Sequence, residues 1–414
     1  MFTAPPASPA DHGLPWPVRA FNFAAQPLAR SWLRLEADDL LRRARARAGL
    51  DDFGGNAFET PLRILVAALE SEAGLHPLGR VAQRSQILDL LVMRLRVQDL
   101  LARRPEIRAE RIDRPIVILG LPRTGTTLLH RLLARDAGLR SLPFWEGIAP
   151  LPDGDATRPA DPAPRIRRAE QRLRFLYWCV PQMRAMHEIE AQEPEEELTL
   201  LAFDFATLMF EAMACLPSYR EWYDSADLTA SYGFLRTLLQ VLQWYRRGER
   251  WLLKSPQHLG QLGPLLSAFP DATIVQTHRD PVTVTASVCN MIAYGARMSL
   301  ARPQPAAIAR YWAARVETLL RRSRERPAAH ARQFVDVQFG ELMADPLAIV
   351  RRIYAAAERE LTPSAEAAMR AYLAANPRGK HGAHSYRLES LGLDPAERRA
   401  ALRDYQQRFQ VPDE

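Results

Sequence analysis

The sequence predicts an α/β fold built on a parallel sheet. Three observations lead there. Short, unbroken apolar runs recur along the chain, the pattern of strands buried on both faces. Longer stretches with apolar residues at three-to-four spacing separate them, so strands alternate with helices. The first of the runs, "PIVILG" at 115–120, passes straight into a glycine turn and then into a helix-like pattern.

Taken in order, residues 1–27 are proline-rich and read as extended. Residues 28–110 carry helical periodicity, as in "TPLRILVAALESEAG" and "RSQILDLLVMRLRVQDLLARRPEI". They make a mostly helical N-terminal region, 1–110. After the strand at 115–120 comes a loop rich in proline and aspartate, 151–164. Residues 165–247 then form a helical insertion rich in aromatics. Strands follow at 250–254 ("RWLLK"), 272–279 ("ATIVQTHR") and 333–339 ("QFVDVQF"), and the insertion falls between the first and second of these four strands. A helix is expected from Pro281, and residues 391–414 read as a C-terminal helix. The most apolar window, "LTLLAFDFATLMFEAMACLP", contains Asp204 and Glu211. It reads as one buried helix and not a membrane span.

The bulk numbers narrow the function classes. The 414 residues are 47% hydrophobic and 25% charged, as in a soluble globular protein. The net charge is +7. Nucleic acid is one partner that such a charge suits. The arginines, however, are scattered through helical stretches beside glutamates, and there is no basic tail or recognisable nucleic-acid module. Lysine is more telling. Of 55 Lys and Arg only two are lysines, Lys254 and Lys380, which leaves 53 arginines. An ammonium is a compact point charge and a guanidinium a planar fork, so the two are not interchangeable at an anionic site. Three scattered cysteines and no signal-like N-terminus point to a reducing, cytoplasmic location without structural zinc.

Four stretches carry chemistry. "GLPRTGTT" spans Gly120–Thr127. A tight strand-to-helix turn aims backbone N–H groups and a helix N-terminus at one point, which suits an anion. Nucleotide loops of this shape place a lysine where Thr126 stands. Its absence argues against a kinase or ATPase, and Arg123 lies inside the loop. "THRDPVTVTASV" supplies Arg279 at a strand end and Ser287 eight residues on, about two helical turns away. "LLKSPQH" puts Lys254 at the end of a strand, where ligands gather in open α/β sheets, with His258 following. "PRGKHGAHSY" clusters Arg378, Lys380, His381 and His384 among glycines, an anion-binding composition.

Together these stretches resemble the sulfotransferases that use 3′-phosphoadenosine 5′-phosphosulfate (PAPS), in particular their bacterial branch. "PEEEL" at 194–198 and "KHGAHSY" add to the likeness, which covers about residues 112–390. The resemblance implies a three-layer, P-loop-like sulfotransferase fold with a central parallel sheet, an N-terminal helical region and a helical insertion. The sulfotransferase domain would span 111–390. It implies that Arg123, Thr124, Gly125, Thr126 and Thr127 cradle the 5′-phosphosulfate. Arg279 and Ser287 would hold the 3′-phosphate, and Arg378, Gly379 and Lys380 would close over it. Lys254 would sit at the sulfuryl group. PAPS would be the donor, adenosine 3′,5′-bisphosphate the product, and no metal is required. The missing loop lysine is then expected, because the transferred sulfuryl carries less charge than a γ-phosphate.

The general base has three candidates: Glu146 in "LPFWEG", then His258, then Glu195 or Glu196 in "EPEEEL". A small-molecule or lipid acceptor is expected, since part of the aromatic insertion (Phe175, Tyr177, Trp178, Phe203, Phe205, Phe210) would lid an apolar pocket. Two other readings compete: a P-loop-type nucleotide or small-molecule kinase, and a non-catalytic nucleotide-binding protein of the same fold.

Overall fold

The structure is a computed structural model that describes residues 13–377 and 387–414. Its centre is a five-stranded parallel sheet: β1 Ile116–Leu119, β2 Leu139–Ser141, β3 Arg250–Lys254, β4 Thr273–His278 and β5 Phe334–Gln338, in the order β2-β3-β1-β4-β5. The central strands β1 and β4 are buried at every residue. Strand side chains alternate between faces, and here the alternation divides the core in two. Val117, Leu119, Leu253 and Ile274 face the N-terminal helices and most of the insertion. Ile116, Ile118, Leu252, Val275 and Val335 face the helix Thr126–Leu133 and the later helices Pro346–Ala356 and Pro363–Ala375. Helices on both faces of a parallel sheet give three layers.

Proline starts many of these helices. Pro77, Pro217, Pro281, Pro305, Pro346, Pro363 and Pro395 each stand in a first turn, where the missing N–H costs nothing. Aspartate caps several of them. Asp280 accepts from the N–H of Val282, Asp345 from Leu347 and Ala348, and Asp394 from Ala396. The C-terminal helix Pro395–Phe409 is fastened to the sheet by Arg399, which lies 2.5 Å from Asp280, and by Tyr405, whose hydroxyl meets His278 at 2.8 Å.

Three expectations need correction. Residues 16–27 are helical, inside a helix Trp16–Trp32 that accommodates Pro27. Their apolar residues lie at helical spacing, and proline density hid this. The window "LTLLAFDFATLMFEAMACLP" is buried but is not one helix. It breaks at Phe205, a non-glycine residue at φ 56°, after a turn whose Asp204 is drawn to Arg94 at 2.8 Å. A fifth strand, β2, was missed, so the insertion lies between β2 and β3. With three residues, two of them Arg140 and Ser141, β2 shows no apolar run.

Candidate active site

The glycine loop leaves the carboxyl end of β1, in the middle of the sheet. Gly120 is needed because β4 passes so close: a Cβ there would lie 2.1 Å from Thr277 Oγ1. Gly125 sits at φ 90°, open to glycine and strained for other residues, and a Cβ would press 2.7 Å from Leu342. Thr126 then opens the helix Thr126–Leu133. The first N–H groups of a helix have no partner within it and carry partial positive charge. Thr124 is buried, and its hydroxyl binds Leu121 O and Thr277 Oγ1, both at 2.6 Å. That hydroxyl ties the loop to β4. Thr127 is exposed and Thr126 buried.

Arg279 follows directly on β4. Its Nη1 donates to the Arg123 carbonyl at 2.9 Å, and its guanidinium lies 4.0 Å over the Phe339 ring. Arg123 adopts φ 72°, a left-handed conformation for a non-glycine residue. The remaining guanidinium donors meet the Glu414 carboxylate at 2.7–3.0 Å. Thus the loop and the β4 arginine form one unit, with a carboxylate already on the arginine. Ser287 is half-buried on the helix Pro281–Gly295, which starts two residues after Arg279. Arg378, Gly379 and Lys380 lie outside the described residues.

Lys254 ends β3, paired in register with Ile118 of β1, so it stands beside the root of the loop. It is 2% exposed. Its Nζ lies 2.6 Å from Glu196 Oε1 and 3.9 Å from Glu195 Oε1, and its backbone N–H donates to Glu197 Oε1 at 2.7 Å. Burial pulls its pKa down, but Glu196 and Glu195 raise it more, and the net is above the ordinary lysine value. Two histidines that no motif marks join this cluster. His130, in the helix after the loop, is held neutral: burial, then the Lys254 charge, press its pKa down to about 3. His187 Nε2 lies 3.7 Å from Glu195 Oε1. Burial works against the His187 charge, Glu195 favours it more, and its pKa is raised. Burial opposes the Glu195 charge too, yet Lys254 and His187 hold its pKa near 2. One cue for His130 existed: it is four residues after Thr126, hence on the same helix face.

The other two base candidates lie elsewhere. Glu146 is 3% exposed in the short helix Phe144–Ile148. Arg140 Nη2 approaches its Oε2 at 2.8 Å, and Arg246 reaches both of its oxygens at 3.2 Å. His258 is fully buried. Its Nδ1 meets the Tyr232 hydroxyl at 2.8 Å and its Nε2 lies 3.5 Å from Glu197 Oε2. Glu197 therefore lies between His258 and the Lys254 backbone, hydrogen-bonded to the latter.

Comparison with known proteins places the chain in a family. The sequence profile of the sulfotransferase family matches residues 115–363. The omega-hydroxy-beta-dihydromenaquinone-9 sulfotransferase Stf3 of Mycobacterium bovis is 26% identical over 255 residues, 58% of this chain and 62% of the relative. The chain thus matches less than two thirds of that relative's length. The crystal structure of sulfotransferase STF9 from Mycobacterium avium superposes with a TM-score of 0.81 at 28% identity, covering 91% of this chain and 97% of the other. Sulfotransferase STF1 from Mycobacterium tuberculosis gives 0.73 at 31% identity, covering 91% and 98%. The profile match covers more than half of the chain, and with the glycine loop after β1, Lys254 ending β3 and Arg279 following β4, the chain belongs to the sulfotransferase family.

Proposed function

We propose that this protein transfers the sulfuryl group of PAPS to the hydroxyl of an apolar, lipid-like acceptor. One observation carries the reading: the sheet register puts Lys254 beside a lysine-free phosphate loop to which Arg279 is fastened through the Arg123 carbonyl. The residues fit the donor. The N–H groups of Gly125, Thr126 and Thr127 and the Thr127 hydroxyl suit the 5′-phosphosulfate, and glycine at 125 lets the turn that presents them pass Leu342. Arg279 and Ser287 suit the 3′-phosphate, with the Glu414 carboxylate giving way to it. Arg378, Gly379 and Lys380 remain candidates to close over it. A kinase would want a loop lysine where Thr126 stands.

PAPS supplies a sulfur joined to a good leaving group, the 5′-phosphate of adenosine 3′,5′-bisphosphate. The acceptor oxygen bonds to sulfur as the bond to the bridging oxygen breaks, and that electron pair leaves with the phosphate. Lys254 Nζ, kept protonated by its carboxylate neighbours, would donate to that oxygen, the electrostatic contribution that is often largest. We assign the acceptor proton to Glu196, whose carboxylate lies 2.6 Å from Lys254 and is released when the ammonium turns to the donor. Glu195 and His187 hold the pair in place. Glu146, with both oxygens on arginines, we assign to structure, and His258 to positioning Glu197. The relative's menaquinone-derived acceptor supports the acceptor class. The test is calorimetric titration with adenosine 3′,5′-bisphosphate. Micromolar binding, indifferent to Mg²⁺ and weakened about 10–100-fold in Arg279→Ala, is expected from lost charge-assisted bonds. Binding of ATP with Mg²⁺ in its place would reverse the assignment.

A further inference from the structure

Among the described residues the exposed large apolar side chains are Trp16, Phe21, Phe23, Val81, Phe175 and Trp178. The elements that bear them converge on one turn, residues 294–299. Asn22 of the first helix accepts from the N–H of Leu78 at 2.9 Å, three residues before Val81. His76, which caps the helix Pro77–Arg103 that carries Leu78 and Val81, donates its backbone N–H to Ser299 O at 3.0 Å, and its ring Nε2 lies 3.1 Å from Arg297 O. On the other side the Tyr294 hydroxyl accepts from the N–H of Gln182 at 3.1 Å, and Leu176 and Met183 pack around Tyr294. Phe175 and Trp178 project from that same helix end, with ring centroids 5.9 Å apart.

The first helix has two apolar stripes. Val18 and Ala29 are buried on the inner one. Trp16, Ala20, Phe23, Ala24 and Pro27 recur at three-to-four spacing on the outer one and are all exposed, Trp16 to 73% and Phe23 to 86%. Its sequence contains arginine and no acidic residue. On the helix Ala163–Cys179, Arg167 and Arg174 are exposed beside Phe175 and Trp178, and neither has a carboxylate partner among the described residues. Aromatic side chains interleaved with unpaired arginines are the makeup of a helix lying in a membrane interface. A second copy would set like charges against each other. Among the described residues no helix is long and apolar enough to cross a membrane.

We infer that this face docks on an anionic lipid bilayer, with the first helix and the end of the helix Ala163–Cys179 lying in the interface. The inference deepens the proposed lipid-like acceptor, and rests on it only for the purpose of docking. The partly buried Met183, Met291 and Met298, soft and adaptable, line the same turn. From Tyr177, whose hydroxyl binds both the N–H and the carbonyl of Ile189, the chain runs directly into Glu195–Glu197 and the Lys254 cluster. A lipid leaving the bilayer here is one segment away from the reacting groups.

The experiment is vesicle flotation of the full chain, with phosphatidylcholine vesicles containing or lacking phosphatidylglycerol. The protein is expected to float with the phosphatidylglycerol vesicles and to be released by high salt. Trp16→Ser with Phe23→Ser should lower the partitioning at least about tenfold, from lost apolar burial, while titration with adenosine 3′,5′-bisphosphate is unchanged. Phe175→Ser with Trp178→Ser should lower it independently. A chain that stays off phosphatidylglycerol vesicles, or variants that float like the parent, overturns the inference. So does a concentration-dependent dimer abolished by Phe23→Ser, which would give the face to a second copy. A failed nucleotide titration alongside intact flotation would count against the donor reading and leave the docking face standing.

Discussion

The glycine loop and the Lys254 cluster are neighbours across one strand pair, yet they are built on opposite plans. In the loop the polar groups on offer are mainly backbone N–H groups, in a turn fastened by its own side chains. Thr124 is fixed to Thr277, and Gly120 and Gly125 make room. Around Lys254 the polar groups face each other: one ammonium, Glu196 at 2.6 Å, Glu195 with His187, and Glu197 under the strand end. The first plan presents the unpaired N–H groups of a helix start, which carry partial positive charge. The second leaves an ion-paired set that a ligand must rearrange. On the proposed mechanism, a loop tied to β4 suits the part of the donor that does not change, and an exchangeable ion pair suits the part where charge moves.

Lys254→Ala should break this comparison most severely. Turnover is expected to fall at least about 10²–10³-fold. The buried carboxylates left behind should cost about 3–5 kcal/mol of stability in denaturant titrations. Binding of adenosine 3′,5′-bisphosphate should persist in the folded protein; its disappearance would merge the two regions into one. Glu146→Gln comes next. It strips the counter-charge from Arg140, which burial already pulls down to about 10, so a loss of about 3 kcal/mol or more is expected. Turnover of the folded fraction should survive. A stable variant with no turnover would return the base role to Glu146.

Gly125→Ala tests the loop's plan. The positive φ and the contact with Leu342 should cost about 1–3 kcal/mol, read as a lower melting temperature, with weaker bisphosphate binding. The smallest effect is in pH. His187 has a raised pKa, so its charged form stabilises the fold below the ordinary imidazole value of 6.5 and that contribution fades as pH rises through the raised value. Glu195, lowered to about 2, contributes above 4.5 and loses its contribution only as pH falls towards 2. Melting temperatures should therefore decline modestly on the alkaline side, and His187→Gln should flatten that decline.

The same contrast explains what the sequence made legible. The loop, Lys254 and Arg279 could be read because each is fixed by a few consecutive residues at the end of an apolar run. Strands β1, β3, β4 and β5 were read from such runs, and β2 was not, since Arg140 and Ser141 leave it none. His130, His187 and Glu197 gave weaker signals because their meaning comes from contacts between segments far apart in the chain. Glu146 could be picked out in "LPFWEG", but what surrounds it, Arg140 and Arg246, is set by the packing of the insertion against β2. The first helix was obscured by prolines that turn out to stand at its start and within it.

The scarcity of lysine has a practical consequence. A protease specific for lysine finds only two cleavage points in the chain, and one of them, Lys254, is 2% exposed at the end of a central strand. Cutting there requires β3 to leave the sheet. The rate at which the fragment ending at Lys254 appears is thus a label-free clock for opening of the active site, and a nucleotide that seats in the neighbouring loop should slow it.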